Sequence, residues 1–293
     1  MTQNSYLLAL VGTGIEQSLS PELHEREARR HGLRCLYRLQ DLNPPPDEAG
    51  DRLGEHIGHA RLVGFSGLNI THPYKQLVIP HLDQLSPAAT RVGAVNTVVF
   101  TRDAGAVGHN TDIAGFAAAF TRNMPDARTE SVVQLGAGGA GAAVGNALLD
   151  LGVRHLVITD PNRDRAHTLA KALNEQAGAE RARACTAAEA DEQLSHADGL
   201  VNASPVGTEH HLQLPVPARS LHPGLWVADV NYHPLWTPLL HTAHALGCTV
   251  LHGGGMLVHQ AADAFRLFTG RDPSTSHMLA DFAEITADVQ AHT

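Results

Sequence analysis

The segment "SVVQLGAGGAGAAVGNALLDLG", residues 131 to 152, constrains the fold of this chain more than any other. Its apolar start reads as a strand and its alanine-rich end as a helix, with Gly136, Gly138 and Gly141 in a G-x-G-x-x-G pattern at the junction. Glycines there permit a tight turn and close backbone approach, so that a pyrophosphate can rest on the helix N-terminus. In an alanine-rich chain the same spacing also serves tight helix packing. The flanking strand and helix are what the nucleotide motif requires, and they favour a dinucleotide site.

The next strand-like run, "HLVIT", ends at Asp160, twenty-four positions after Gly136. An acid at this place hydrogen-bonds the 2′-hydroxyl of an adenine ribose and repels a 2′-phosphate, which favours NAD over NADP. Arg163 and Arg165 follow closely and leave some NADP use open. Asp160 before Pro161 also reads as an N-cap for the helix "DPNRDRA".

Strand-like and helix-like stretches alternate along the whole chain. A first series of strands, at 6–12, 35–39, 64–70 and 94–100, is separated by helical patterns at 21–31, 47–61 and 73–79. A second series follows at 131–135, 155–159, 199–203, 225–229 and 248–251, and the segment from about Met256 is helical up to Gly270. Such alternation predicts α/β architecture with parallel sheets covered on both faces. The domain boundary is placed in the helix from about Asp112 to Arg122. That gives a substrate-binding domain of residues 1–111 plus 256–293 and a Rossmann-like dinucleotide-binding domain of 112–255, the C-terminal helix returning to the first domain.

The 293 residues suffice for two domains, and the core is expected to be aliphatic because aromatics are only 4%. A formal charge of −9 without a basic run argues against nucleic acid and anionic membrane as partners. The N-terminal apolar run lacks a basic flank and a cleavage site, and no stretch is long enough to cross a bilayer, so a cytoplasmic location is the default expectation. Cys35, Cys185 and Cys248 lie far apart, and the twenty histidines form no H-E-x-x-H, so neither disulfides nor a metal site is expected.

Several polar residues stand upstream of the glycine turn. "GTGIEQSLSPELHE" places Ser18 and Ser20 before a proline-initiated helix, where two hydroxyls at a helix N-terminus suit a small carboxylate; Ser20 also reads as the N-cap. "GLNITHPYKQ" supplies Asn69, Thr71 and Lys75 after an apolar strand. "GAVNTVV" adds Asn96, and "GHNTDIAGF" adds Asn110 and Asp112 at the start of a helix. Each alone is compatible with turn chemistry. Lys75 is one of two lysines against nineteen arginines, and lysine, unlike arginine, can lose its proton and accept another.

Together these segments resemble the shikimate dehydrogenase family, including its quinate-accepting members. The likeness covers nearly the whole chain: S-x-S-P, N-[IV]-T-x-P-[YF]-K, G-A-V-N-T, N-T-D-x-x-G, G-A-G-G-A, N-A-[ST]-P-x-G at 202–207 and G-M-L-[VI]-x-Q at 255–260. It implies that Ser18 and Ser20 hold the substrate carboxylate and that Asn69, Thr71, Asn96, Asp112 and Gln260 surround the ring hydroxyls. Lys75 and Asp112 would be the catalytic pair, and Tyr232 would close the site from the nucleotide domain. Cofactor contacts are implied for Gly136, Ala137, Gly138, Gly139, Ala140, Asp160 and Arg163, with Gly253 and Met256 near the nicotinamide.

Two departures refine the expectation. Many members carry Asn-Arg-Thr after the second nucleotide-domain strand, and this chain has Asp160, Pro161 and Asn162, so the arginine that grips a 2′-phosphate is replaced by proline. Several quinate users have threonine where Ser20 stands, which points to shikimate as the better substrate. The implied activity is NAD-favouring interconversion of shikimate and 3-dehydroshikimate by a monomer or homodimer. The alternatives are a quinate or aminoshikimate dehydrogenase and a non-catalytic dinucleotide-binding regulator. The presence of both Lys75 and Asp112 speaks against the regulator.

Overall fold

The computed structural model describes residues 4–45, 47–209 and 211–291. The chain opens with β1 (Ser5–Gly12), α1 (Ser20–Arg30), β2 (Arg34–Asp41), α2 (Ala49–Val63), β3 (Gly67–Ile70), β4 (Gln84–Leu85), α3 (Pro87–Val92), β5 (Thr97–Thr101) and β6 (Gly105–His109). Next come α4 (Asp112–Asn123), β7 (Ser131–Leu135), α5 (Gly139–Asp150), β8 (His155–Thr159), α6 (Arg163–Ala177), β9 (Ala182–Ala184), α7 (Ala187–Leu194) and β10 (Gly199–Asn202). The remaining elements are β11 (Trp226–Asp229), α8 (Pro238–Ala245), β12 (Thr249–Leu251), α9 (Gly254–Thr269) and α10 (Thr275–Ala291). They form two compact units, one of residues up to Thr111 together with those from Val258 onward, the other of Asp112–Leu257.

The sheet of the first unit has the order β2-β1-β3-β5-β6-β4. β2, β1 and β3 are parallel, but β5 is antiparallel to both β3 and β6, so the expectation of an all-parallel sheet fails here. The cause is connection length. Only Arg102, Asp103 and Ala104 separate β5 from β6, which allows a hairpin, whereas a parallel crossover needs roughly a dozen residues or more. Gly105 takes the positive φ of +74° that the turn requires.

Alternation along β1 divides the first core in two. Tyr6, Leu8 and Leu10 pack with Ala28, Leu33, Phe265 and Phe268, while Ala9 and Val11 pack with Leu53, Ile57 and Ala60. α1 and α9 therefore cover one face and α2 the other. The C-terminal helix belongs to this unit, because Arg30 of α1 pairs with Asp281 of α10 at 2.5 Å.

Residues 73–79 do not form the expected helix. They run through consecutive turns into a single 3-10 turn at Ile79–His81. The Lys75 carbonyl, which an α-helix would direct to the N–H of Ile79, accepts instead from Val95 N–H at 2.7 Å, and Ile79 N–H donates to Gln76.

The second unit carries the sheet β12-β11-β10-β7-β8-β9, parallel throughout. This is the doubly wound order, which reverses between β7 and β10 and opens a crevice at the carboxyl ends of those two strands. Val133, Leu135, Leu200 and Val227 fill its core with Leu239 and Leu240 of α8.

Candidate active site

In the first unit the polar residues picked out in the sequence converge at the carboxyl ends of β1 and β3. Asn69, on the buried strand β3, donates through Nδ2 to the Asn96 carbonyl at 3.2 Å and to Thr97 Oγ1 at 3.0 Å. Asn96 and Thr111 are joined reciprocally: Asn96 Nδ2 donates to Thr111 Oγ1 at 2.8 Å, and Thr111 N–H donates to Asn96 Oδ1 at 2.9 Å. Gln260 Oε1, on α9, lies 3.5 Å from both Asn96 Nδ2 and Thr111 Oγ1. The Val95 to Lys75 backbone bond sets Lys75 alongside this cluster. Thr71 follows β3, where its methyl group lies so close to Gly12 that a Cβ there would approach it to 2.3 Å.

Ser18 and Ser20 hold each other, and Ser20 is not the N-cap expected of it. Leu19 occupies the cap position of α1 and Ser20 is its first helical residue, while Ser18 Oγ accepts from Ser20 N–H at 3.3 Å. Ser18 thus meets the first N–H of the helix, and the buried hydroxyl of Ser20 lies 3.3 Å from Ser18 Oγ. A Ser-Pro start lets the helix begin at the serine, since Pro21 tolerates the first turn.

Two further residues, Tyr37 and His24, join these groups. The Tyr37 hydroxyl donates to Asn69 Oδ1 at 2.8 Å, and the Tyr37 ring lies 4.8 Å from that of His24. His24 is fully buried, and its Nδ1 is 3.0 Å from the Ser20 carbonyl. Burial pushes its imidazole down to about 4, against the pull of that bond, so the ring is neutral and Nδ1–H is the donor. A continuous packed path thus runs from Ser20 through His24 and Tyr37 to Asn69. A tyrosine in an ordinary edge strand and a histidine one turn into a helix carry no local motif. Their part comes only from tertiary packing.

Asp112 is buried and opens α4, directly after Thr111, whose N–H is fixed to Asn96. Asn110 is bound to the Ala94 carbonyl through its amide at 3.0 Å.

In the second unit the glycine-rich turn is tightly packed at its base and open at its mouth. Gly136 has φ +98°, and a Cβ on it would stand 2.6 Å from the Ala203 carbonyl oxygen; a Cβ on Gly141 would stand 2.2 Å from the Gly136 carbonyl oxygen. At Gly138 a Cβ would meet nothing within 4 Å, so the mouth of the turn is open while its base is tightly packed. Gly139 and Ala140 begin α5, which offers unpaired N–H groups to an anion.

Asp160 lies at the edge of this turn. Its Oδ2 accepts from Ala137 N–H at 2.8 Å and its Oδ1 from Asn162 N–H at 2.8 Å. It is not the N-cap expected of it, because Asn162 caps α6 by accepting from Arg165 N–H. The two residues between Asp160 and the helix start carry the carboxylate back toward β7. Arg163 is the first residue of α6 and is exposed.

Gly253 and Met256 flank the start of α9. Any Cβ on Gly253 would lie 2.3 Å from the Val230 carbonyl oxygen and 2.7 Å from that of Asn231, so glycine is required, and Met256 is buried. Tyr232 is half-buried on the segment after β11, its ring 4.5 Å from that of His233. Among the described residues no group of three or more His, Cys, Asp or Glu side chains is placed to hold a metal ion, and no helix is long and apolar enough to cross a membrane.

Comparison with known proteins gives this arrangement its family. Residues 10–98 match the shikimate dehydrogenase substrate binding domain, and residues 253–280 match the shikimate 5'-dehydrogenase C-terminal domain. A shikimate dehydrogenase (NADP(+)) of Streptomyces avermitilis is 58% identical over 97% of both chains. A quinate/shikimate dehydrogenase (NAD(+)) of Corynebacterium efficiens is 45% identical over 97% of this chain and all of its own. The solved quinate dehydrogenase of Corynebacterium glutamicum in complex with NAD superposes with a TM-score of 0.87 at 43% identity, covering 96% of this chain and 99% of that one. With relatives so similar over their full lengths, and with both family domains matched, the chain belongs to the shikimate dehydrogenase family.

Proposed function

We propose that this protein interconverts shikimate and 3-dehydroshikimate, with NAD as the favoured cofactor and quinate as a second substrate. The observation that carries this reading is the hydrogen-bonded cluster of Asn69, Asn96, Thr111 and Gln260 with Lys75 tethered beside it, in a chain that also holds an open glycine-rich turn. It is a site rich in amide and hydroxyl groups, suited to a polyhydroxylated ring. The relatives named above include both NAD(+) and NADP(+) dehydrogenases.

Bound at the glycine-rich turn, NAD supplies the hydride acceptor. The protein then has to bind and orient the alcohol and to take the hydroxyl proton. Ser18 and Ser20 bind the substrate carboxylate. Asn69, Thr71, Asn96 and Gln260 fix the ring hydroxyls, with Asn69 held in place by Tyr37 and Thr97. Lys75 and Asp112 form the acid–base pair: neutral Nζ of Lys75 can accept the hydroxyl proton, and the carboxylate of Asp112 can accept a hydrogen bond or a proton. Tyr232, Gly253 and Met256 line the nicotinamide end, while residues 136–140 hold the pyrophosphate.

NAD is favoured because the Asp160 carboxylate stands at the rim of the turn, where it suits a ribose hydroxyl and repels a 2′-phosphate. The substrate-binding and dinucleotide-binding domains are assigned to the first and second compact units. The test is purified protein with shikimate and quinate crossed with NAD and NADP, following nicotinamide reduction. Turnover highest with shikimate and NAD is expected; binding of both without cofactor reduction would revive the regulator.

A further inference from the structure

The loops at the carboxyl ends of β10 and β11 share one buried carboxylate to which the chemistry above gives no role. Asp229, the last residue of β11, is 2% exposed. Its Oδ2 accepts from Asn202 Nδ2 at 3.1 Å and from Thr237 Oγ1 at 2.8 Å, and its Oδ1 accepts from Asn231 N–H at 3.0 Å. These donors come from three places: the end of β10, the N-cap of α8 and the segment that carries Tyr232.

Each donor extends the connection. Asn202 Oδ1 accepts from the backbone and hydroxyl of Ser204 at 3.1 and 2.6 Å, and its Nδ2 also reaches the Val206 carbonyl at 2.8 Å. Asn231 Nδ2 donates to the carbonyls of Ser204 and Val206 at 3.0 and 3.3 Å. The assembly touches the nucleotide site at two points. The Ala203 carbonyl packs on Gly136 of the glycine-rich turn, and the Val230 and Asn231 carbonyls pack on Gly253.

We propose that Asp229 is a positioning residue that ties the 202–207 turn and the Tyr232 segment into one rigid body at the nicotinamide end of the cofactor site. The inference rests on the functional reading above, which assigns that end to Tyr232, Gly253 and Met256. A neutral amide could staple one of these loops at lower desolvation cost, but it offers a single acceptor oxygen, and this position receives three donors from three segments. The carboxylate is kept in spite of that cost: burial pushes its pKa up to about 6 even with all three donors in place. Because Asp229 is buried and accepts from donors of the protein itself, its effect on rate comes through the placement of its neighbours.

The test compares wild type with Asp229→Asn and Asn202→Ala in NAD dissociation constant, kcat and KM for shikimate, and thermal midpoint. Asp229→Asn should keep the fold, because it removes a buried charge while keeping the shape, yet one of the three donors loses its acceptor. The expected result is a kcat lowered about tenfold or more per folded molecule, NAD affinity within about threefold of wild type and a thermal midpoint not lowered. Asn202→Ala removes the donor that joins Asp229 to the 202–207 turn, leaves the carboxylate its Thr237 and Asn231 donors, and should lower kcat in the same sense. It decides the matter if Asp229→Asn does not fold. Undiminished kcat and KM in the folded variants, or a loss explained wholly by the unfolded fraction, would overturn the proposal. Wild type run alongside separates the two readings: no turnover by it overturns the function, whereas normal wild-type turnover with undiminished variants overturns the tether alone.

Discussion

The carboxylate of Asp160 accepts a hydrogen bond from the N–H of Ala137 at 2.8 Å, joining the end of β8 to the glycine-rich turn after β7. One side chain thereby shapes the turn, and under the proposed cofactor assignment it also sets the charge that a bound nucleotide meets at its ribose. Asp160→Ala should narrow the preference for NAD over NADP by about tenfold, the scale of one charge-assisted hydrogen bond together with lost repulsion. The measurement is the ratio of kcat/KM for the two cofactors. An unchanged ratio would leave Asp160 with the turn-shaping role alone.

Lys75→Ala and Asp112→Ala should each lower kcat by about 10²–10⁴, the range for general acid–base groups. Shikimate binding should weaken far less than turnover falls, which equilibrium titration checks. Near-normal turnover in both variants would remove the proposed pair.

Tyr37→Phe deletes the donor to Asn69 Oδ1 and leaves a buried acceptor unmet. It should raise KM for shikimate several-fold and cost about 1–3 kcal/mol of stability. Steady-state kinetics and denaturant unfolding report the two effects separately. A KM equal to that of wild type would show that Asn69 holds its place without the phenol.

Gly253→Ala puts a methyl group where the Val230 carbonyl oxygen would be 2.3 Å away. The backbone must shift, so the thermal midpoint should fall and turnover should drop with it. The cost is expected in the range of about 1–3 kcal/mol for overpacking. A variant with wild-type midpoint and rate would contradict the close approach.

Burial acts in opposite directions on two titrating groups. The usual imidazole value of 6.5 falls to about 4 at His24, and the usual carboxyl value of 3.8 rises to about 6 at Asp229. Neutral His24 contributes stability that is present above 6.5 and is lost as pH falls toward 4. Asp229 contributes stability that is fully present below 3.8 and is lost as pH rises through about 6. Asp229→Asn should therefore gain on wild type as pH rises from about 4 to 7, by roughly 2–3 kcal/mol at most. His24→Met should lose less than wild type on acidification over the same interval. Thermal midpoints across this window check both, and parallel curves for wild type and the two variants would contradict them.

Much of the second unit was legible because its constraints are local. The strands around Gly136 are mostly apolar runs, and the turn needs glycine at Gly136 for its φ and at Gly141 for space. The hairpin partner β6, "GAVGH", carries little strand signal of its own, because Val107 is its one β-branched residue. Residues 73–79 show helical periodicity, and only the distant Val95 N–H, which takes the Lys75 carbonyl, reveals that no helix forms. The capping expectations fail at Ser20, which is the first helical residue behind Leu19, and at Asp160, which stands two residues before the cap Asn162, because an oxygen nearby in the chain can satisfy the same kind of backbone donor. The polar residues of the first unit could be named from their motifs. His24, Tyr37 and Asp229 could not, since each acts through neighbours far away in the chain.

The most direct test follows the hydride itself. Shikimate deuterated at the carbon that becomes the ketone is incubated with NAD and the purified protein, and the products are examined by mass spectrometry. The proposed chemistry predicts that the deuterium appears in the reduced nicotinamide in step with ketone formation. Ketone without labelled NADH, or no reduced cofactor although both ligands bind, would contradict it.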